Sequence, residues 1–364
     1  MAVTTGMVGQ GFYNRNSAPQ HAAIRHVLPW LEQALQDLPL GDGPVAATLA
    51  DFGCSEGANS IAVMRQLLPV LRQRTDRPLA TVHSDLPTND FGELFRALRG
   101  ENGPVLGEDV YSCAVGGSMY DRLLPPGSLG LATTFNAIGY FGRRPLERLE
   151  DYIVPNGPMP GRTAAKVTPA EHAACAGQAA ADLEAYLLRR AVELVPGGLA
   201  LVQVFGVGPM GRTCDGIYDA LDDSLRELVA AGRIDRDNYA RFYQPVYFRD
   251  LDELTAPVAG PNAPLAHLFA LERAECYEVP VPFVEAWRAG GDTAGYAAAC
   301  TAFFRAFTEP VLRLAFAADP DPDGLVQAAF AGAERLIAAK PETYLFRYVS
   351  VAALLRRRGA RLDD

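Results

Sequence analysis

Long apolar runs are missing from this chain of 364 residues. No stretch approaches the roughly 20 residues needed to cross a bilayer, and no charged-then-apolar leader follows Met1. Paired cysteines are missing too. The six, at 54, 113, 175, 214, 276 and 300, form no C-x-x-C, which favours reduced thiols and argues against structural zinc. The five histidines give no H-E-x-x-H or comparable metal spacing. Positive charge is scarce: the formal net charge is −10, which argues against a nucleic-acid footprint. The run Arg356-Arg357-Arg358 is the exception and reads as a solvated end. A soluble, cytoplasmic protein without nucleic-acid or membrane partners is expected.

What is present suits a globular protein. Apolar residues make up 49% and charged residues 21%, enough to bury one large core with insertions or two domains. From Gln20 to Leu38 the apolar positions Ile24, Val27, Leu28, Leu31, Leu35 and Leu38 recur at helical spacing. Strand-like segments follow near 46–51, 79–85, 110–115, 128–134 and 198–206. Helical segments lie between them, at Ser60 to Arg74, Phe91 to Leu98 and Asp182 to Val195. The turn Pro196-Gly197-Gly198 leads into LALVQVFG, apolar enough to be buried on both faces. This alternation predicts a parallel sheet with helices on both sides, an α/β fold.

Two regions break the rhythm. Residues 143–180 are rich in Pro, Gly and Ala, and residues 211–335 look mostly helical with few strand signals. Both are expected to join in a helical cap over the ligand edge of the sheet. The final TYLFRYVSVAALL is expected to return a strand to it.

The chemistry concentrates at two acidic turns. DFGCSEGAN, Asp51 to Asn59, and DLPTNDF, Asp85 to Phe91, each follow an apolar segment that reads as a buried strand. Strand, acidic Gly-bearing turn, helix, then a strand ending in Asp is how an open α/β sheet holds a nucleoside. Gly53 and Gly57 do not make G-x-G-x-x-G, and Asp51 stands where a pyrophosphate would be repelled. A nicotinamide-dependent oxidoreductase is thereby disfavoured, and a cationic ligand carrying a ribose fits better. S-adenosylmethionine is the commonest of that kind. Asp51 is placed to attract its sulfonium or α-amino charge, a role compatible with capping the following helix. Asp85 is placed to bind ribose hydroxyls.

Beyond these turns the residues match a family pattern. FYNRNSAPQ, Phe12 to Gln20, resembles the S-Y-x-x-N-S-x-x-Q opening of the SABATH methyltransferases (salicylate, benzoate and theobromine type). DFGCSEGAN resembles their D-L-G-C-S-S-G-x-N, and DLPTNDF their D-L-P-x-N-D-F. AVGGSMYDRLLP, Ala114 to Pro125, resembles V-P-G-S-F-Y-x-R-L-F-P, and FYQPVYFRDLDEL echoes F-N-x-P-x-Y. The blocks occur in order over most of the chain, in a bacterial-like form. The resemblance implies a Rossmann-like class I methyltransferase sheet under a mostly helical cap. The core would comprise 1–142, 181–210 and 340–364, with an active-site segment at 1–20; the cap would comprise 143–180 and 211–339. It also implies a homodimer. Cofactor contacts fall on Tyr13, Ser17, Asp51, Gly53, Cys54, Asn59, Asp85, Leu86, Ser118 and Met119. The Gln20 amide would position a substrate carboxylate, with Phe135, Ile138, Gly139 and Tyr140 in the substrate wall.

This chain departs from the plant pattern in two places. The family's aromatic, commonly Trp, beyond the fourth strand falls here on Gly139, so that Tyr140 takes its role or the pocket is larger. The positions aligned with a magnesium site described in some members are Ala240 and Tyr243, which lack hard oxygen ligands, and Asn156 alone is no site. No metal is expected.

A carboxylate acceptor ionises near roughly pH 4 and needs no general base at neutral pH. The absence of a Ser-His-Asp, Cys-His or paired-carboxylate constellation is consistent with this. Positioning in a dry cavity supplies on the order of 7–11 kcal/mol, and one charge-assisted bond from Gln20 about 1.5–3 kcal/mol. The expected activity is methyl esterification of a small carboxylic acid, aromatic or otherwise apolar. The alternatives are N-methylation of a small heterocycle and cofactor binding without turnover.

Overall fold

The computed structural model describes residues 7–9, 11–40, 47–260 and 262–359. The helices are α1 (Phe12–Arg15), α2 (Ala18–Leu35), α3 (Ala58–Arg72), α4 (Phe91–Arg99), α5 (Pro169–Glu193), α6 (Asp215–Ala230), α7 (Arg236–Arg241), α8 (Leu251–Thr255), α9 (Pro282–Gly290), α10 (Thr293–Ala315) and α11 (Pro322–Ala339). The strands are β1 (Ala47–Phe52), β2 (Leu79–Asp85), β3 (Val110–Gly116), β4 (Leu129–Phe135), β5 (Leu194–Phe205), the short pair β6 (Val207–Gly208) and β7 (Gly211–Arg212), β8 (Phe269–Glu278) and β9 (Val349–Arg357).

Seven strands form one sheet in the order β3-β2-β1-β4-β5-β9-β8. The first five pair in parallel, Asp51 opposite His83 and Thr133. β9 then runs antiparallel to both β5 and β8. The chain reverses direction across the sheet at β1, so the carboxyl ends of β1, β2 and β4 open a crevice there, where an open α/β sheet takes its ligand. The expected α/β sheet forms, but it is parallel only through β5; the antiparallel β9 and β8 make it mixed.

β5 is buried along ALVQV because helices cover both faces. It starts earlier than expected: α5 ends at Glu193 and the strand runs through Pro196-Gly197-Gly198, with an irregular register against β4 at Leu129/Leu131. α5 also begins earlier, not at Asp182 but at Pro169. Thr168 and Glu171 close a capping box around that start, and the Ala-rich run that reads as an insertion is good helix composition.

The larger difference is β8. Residues 211–335 are not helical throughout, because Phe269–Glu278 supplies the last strand of the sheet. Glu272 and Arg273 are exposed there, and charges of this kind on an edge strand discourage further pairing while hiding the apolar alternation.

Charge ties residues 143–180 to α6. Arg162 pairs with Asp222 at 2.7 Å and Asp223 at 2.8 Å on α6, while the Tyr152 and Tyr239 hydroxyls donate to Asp219 and Asp222 at 2.5 Å each. No helix among the described residues is long and apolar enough to cross a membrane.

The segment before α2 is anchored at two places. Pro310 has no N–H, which leaves the Ala306 carbonyl of α10 without its helical donor; the Val8 N–H fills it at 2.9 Å. Gly11 N–H donates to the buried Glu56 carboxylate at 2.6 Å. A stretch that composition alone would leave loose thus bridges α10 and the β1 turn.

Candidate active site

The crevice is a cavity of about 420 Å³. One end lies over the strand termini. β1 stops at Gly53, whose φ of 92° and lack of a side chain let Ala137 pack where a Cβ would overlap it. Gly53 and Cys54 N–H groups donate to the Ser84 carbonyl at 2.7 and 3.0 Å, which locks the β1 turn against β2. Asp85 then accepts from Ser55 N–H and Leu86 N–H, both at 2.7 Å. Burial raises the Asp85 pKa, and these two bonds oppose the rise. Asn89 donates to the Ser55 carbonyl at 2.8 Å. Gly53, Ser55, Ser84, Asp85, Leu86, Asn89, Ser118 and Met119 all line this end.

The loop carrying Ser118 and Met119 is held from below. Arg190 is fully buried, lies 3.8 Å from the Phe52 ring centroid, pairs with Glu193 at 2.8 Å and donates to the Met119 and Asp121 carbonyls. Glu193 in turn accepts from Leu123 and Leu124 N–H.

Asp51 sits one layer beneath the cavity and does not line it. Thr133 Oγ1 donates to its Oδ1 at 2.8 Å. Burial pushes its pKa up to about 6, against hydrogen bonds from Ser60 and Thr133, with the Asp85 charge adding to the rise. Ser60 also meets His83 Nδ1 at 2.8 Å, and burial lowers the His83 pKa to about 4, so this imidazole is neutral at physiological pH. Cys54 packs with Ile61, Leu94 and Leu98, its thiol pKa raised by burial. Asn59 lies in the first turn of α3 and Ser17 is buried beside α2; neither lines the cavity. Tyr13 belongs to α1, but its side chain lies outside the described residues.

The other end is aromatic. Phe135 and Tyr140 line it. Ile138 is fully buried behind it and Gly139 is covered: a Cβ there would overlap the Phe205 ring. Phe205 packs on Tyr140 and Phe248 at centroid distances of 6.3 and 4.8 Å. Tyr218 of α6 and Phe303 and Phe307 of α10 close the wall, with Val246 and Tyr348. None of these was singled out from the sequence. Phe303 and Phe307 stand one helical turn apart, a spacing that signals burial without saying that the buried face looks onto a cavity.

Gln20 lines the cavity and is 6% exposed. Its buried Oε1 has no hydrogen-bond partner among the described residues. Its Nε2 donates to none of the described residues either, so the amide is not committed to them, which suits a ligand contact. No Lys, Arg or His is among the described residues lining the cavity. No group of three or more His, Cys, Asp or Glu able to hold a metal ion occurs among them either.

The family model for SAM-dependent carboxyl methyltransferases matches residues 2–358. The O-methyltransferase acrG of Aspergillus aculeatus is 31% identical over 266 residues, covering 70% of this chain and 67% of that protein. Gibberellic acid methyltransferase 2 of Arabidopsis thaliana is 28% identical over 265 residues, 68% of each. The solved structure of loganic acid methyltransferase with SAH superposes with a TM-score of 0.78 at 22% identity, covering 97% of this chain and 99% of that one, which establishes the shared fold. Sequence blocks, sheet and cavity converge: the chain belongs to the family of S-adenosylmethionine-dependent carboxyl methyltransferases.

Proposed function

We propose that the acceptor is a small carboxylic acid with an aromatic or otherwise apolar skeleton, converted to its methyl ester. The observation that carries this is the contrast within one cavity. Its far wall is built from Phe205, Tyr218, Phe248, Phe303 and Phe307, while the uncommitted Gln20 amide is a polar group within the same enclosure. Such a cavity accepts an apolar body and orients it through few polar contacts.

The residues fit the nucleoside cofactor. Asp85, with its carboxylate fixed by two backbone N–H groups, would accept from ribose hydroxyls; Gly53, Ser55, Leu86, Ser118 and Met119 would flank it. Asp51, Cys54, Asn59 and Ser17 would shape the same site from behind, and Tyr13 would close over it. When bound, S-adenosylmethionine supplies an electrophilic methyl group. The protein's part is positional: the Gln20 amide donates to the acceptor carboxylate, the aromatic wall holds the acceptor's body, and the α10-anchored segment excludes water. The acceptor carboxylate is already ionised, so no side chain need remove a proton. Phe135 and Tyr140 face the acceptor, with Ile138 and Gly139 backing them.

The proposed working unit is a cytoplasmic homodimer. Each chain would have a core of 1–142, 181–210 and 340–364, extended by β8. The cap would be 143–180 with the helical parts of 211–339.

The test offers acids, phenols and nitrogen heterocycles with a methyl-labelled donor. Label incorporated into an acid and released by mild base supports the reading. Label confined to heterocycles overturns it in favour of N-methylation, and tight S-adenosylhomocysteine binding with no transfer across the panel favours a non-catalytic binder.

A further inference from the structure

Asn136 follows β4 directly, with left-handed backbone at φ 67° and ψ −25°, a conformation that Asn tolerates better than most residues. Its main chain is fully used: N–H donates to the Gln203 carbonyl at 2.8 Å, and the carbonyl accepts from Gly139 N–H at 3.0 Å. Its side-chain oxygen is used as well. Oδ1 accepts from Phe205 N–H at 2.9 Å and from the Tyr348 hydroxyl at 3.2 Å.

A backbone N–H can only donate, so the atom facing Phe205 N must be the amide oxygen, and the amide has one orientation. Nδ2 is thereby turned away from Phe205. It makes no hydrogen bond among the described residues and is not one of the enclosed polar atoms lacking a partner. The residue lines the cavity and is 8% exposed. A pinned amide thus leaves its donor end open to the ligand space, in a cavity with no cationic side chain among its described lining residues.

We infer that Asn136 Nδ2 is a second amide donor to the acceptor carboxylate, acting with Gln20 and setting the pocket's preference for an anion over a neutral group. This rests on the carboxylate reading above. It also accounts for Gly139. Phe205 fills the space a side chain at 139 would need, so no donor can come from that position. The same Phe205, through its N–H, fixes Asn136 three residues earlier with its donor free.

The test uses the full chain saturated with S-adenosylhomocysteine and a matched pair of probes, 2-naphthoate and 2-naphthamide, titrated calorimetrically at about pH 8, where carboxyl groups are ionised. If naphthoate binds too weakly to measure, the best acid of the transfer panel and its primary amide replace the pair. N136D keeps the Oδ1 acceptor and the shape but replaces the donor with an anion. Naphthoate affinity should fall by about 10- to 100-fold or more, the range of one lost charge-assisted bond. Naphthamide should bind as well as before or better, so that the preference inverts, and S-adenosylhomocysteine affinity should stay within about twofold.

N136G retains the left-handed backbone and lacks the buried carboxylate; it should lose about tenfold in naphthoate affinity and serves if N136D does not fold. Unchanged anion preference in a folded variant overturns the inference. The two readings fail separately: wild-type chain that forms no methyl ester refutes carboxyl methylation, whereas ester formation with unaltered N136D and N136G binding refutes Asn136 alone.

Discussion

Phe205 occupies the space that any side chain on Gly139 would need: a Cβ at 139 would overlap its ring. The two positions are 66 residues apart in sequence and together form one patch of wall, with Tyr140 and Phe248 packed on the ring. Their sizes must therefore compensate.

G139W alone should overpack this patch and lower stability by about 1–3 kcal/mol or more. Adding F205A should recover much of that loss, so the double variant melts well above the sum of the singles. Thermal unfolding of the four proteins checks it. Additive losses would mean that the two positions do not share space.

Gln20 is buried at the cavity with an uncommitted amide. Q20A should lower kcat/KM for an acid by about 10- to 100-fold, the loss of one charge-assisted bond, and Q20E should lower it further by placing like charges together. S-adenosylhomocysteine affinity should change little in either. Steady-state kinetics and calorimetry separate the effects; equal loss of cofactor affinity would assign Gln20 to the wrong ligand.

Glu56 holds Gly11 N–H at 2.6 Å. E56A should release the segment around residues 8–17, seen as faster amide exchange there, and raise the acceptor KM several-fold. E56Q keeps an acceptor and should exchange nearly as slowly as wild type. Unchanged exchange in E56A would show that the bond from Val8 N–H to the Ala306 carbonyl of α10 suffices to hold the segment.

Asp51 has a folded pKa of about 6, above the ordinary carboxyl value, because it is buried. The folded chain then binds more protons than the unfolded one between about pH 4 and 6, so this group costs stability as pH rises through that window. D51N removes the cost. It should be more stable than wild type by on the order of 2–3 kcal/mol above about pH 6, with the gain fading towards pH 4, while cofactor affinity falls. His83, with a pKa lowered to about 4, loses stability as pH falls from its ordinary value towards 4. It does so in both proteins and largely cancels in the difference. Denaturant unfolding against pH checks the sign. A D51N that is less stable at high pH would mean that the charged carboxylate is the favoured form.

The parallel part of the sheet and the turns at its carboxyl edge were legible because their signals are local. Apolar runs ending in Asp51 and Asp85, with Gly53 between, define strand termini within a few residues of sequence. β8 was not legible, since an edge strand carrying Glu272 and Arg273 shows no clean alternation. The aromatic wall of the cavity was legible only in part. Phe135 and Tyr140 stand next to β4, whereas Phe205, Tyr218, Phe303 and Tyr348 arrive from distant elements whose periodicity signals burial alone. Asn136 reads as a turn residue until Phe205 N–H is seen to orient its amide. The emptiness of Gly139 was visible; what fills it required the fold.

The most direct measurement supplies the full chain with methyl-labelled S-adenosylmethionine and an aromatic acid carrying oxygen-18 in both carboxyl positions, then weighs the product. Carboxyl methylation with the substrate oxygen as nucleophile predicts an ester holding the labelled methyl and both oxygen-18 atoms, releasing labelled methanol in mild base. A base-stable methyl group, or loss of oxygen-18 during turnover, would contradict it.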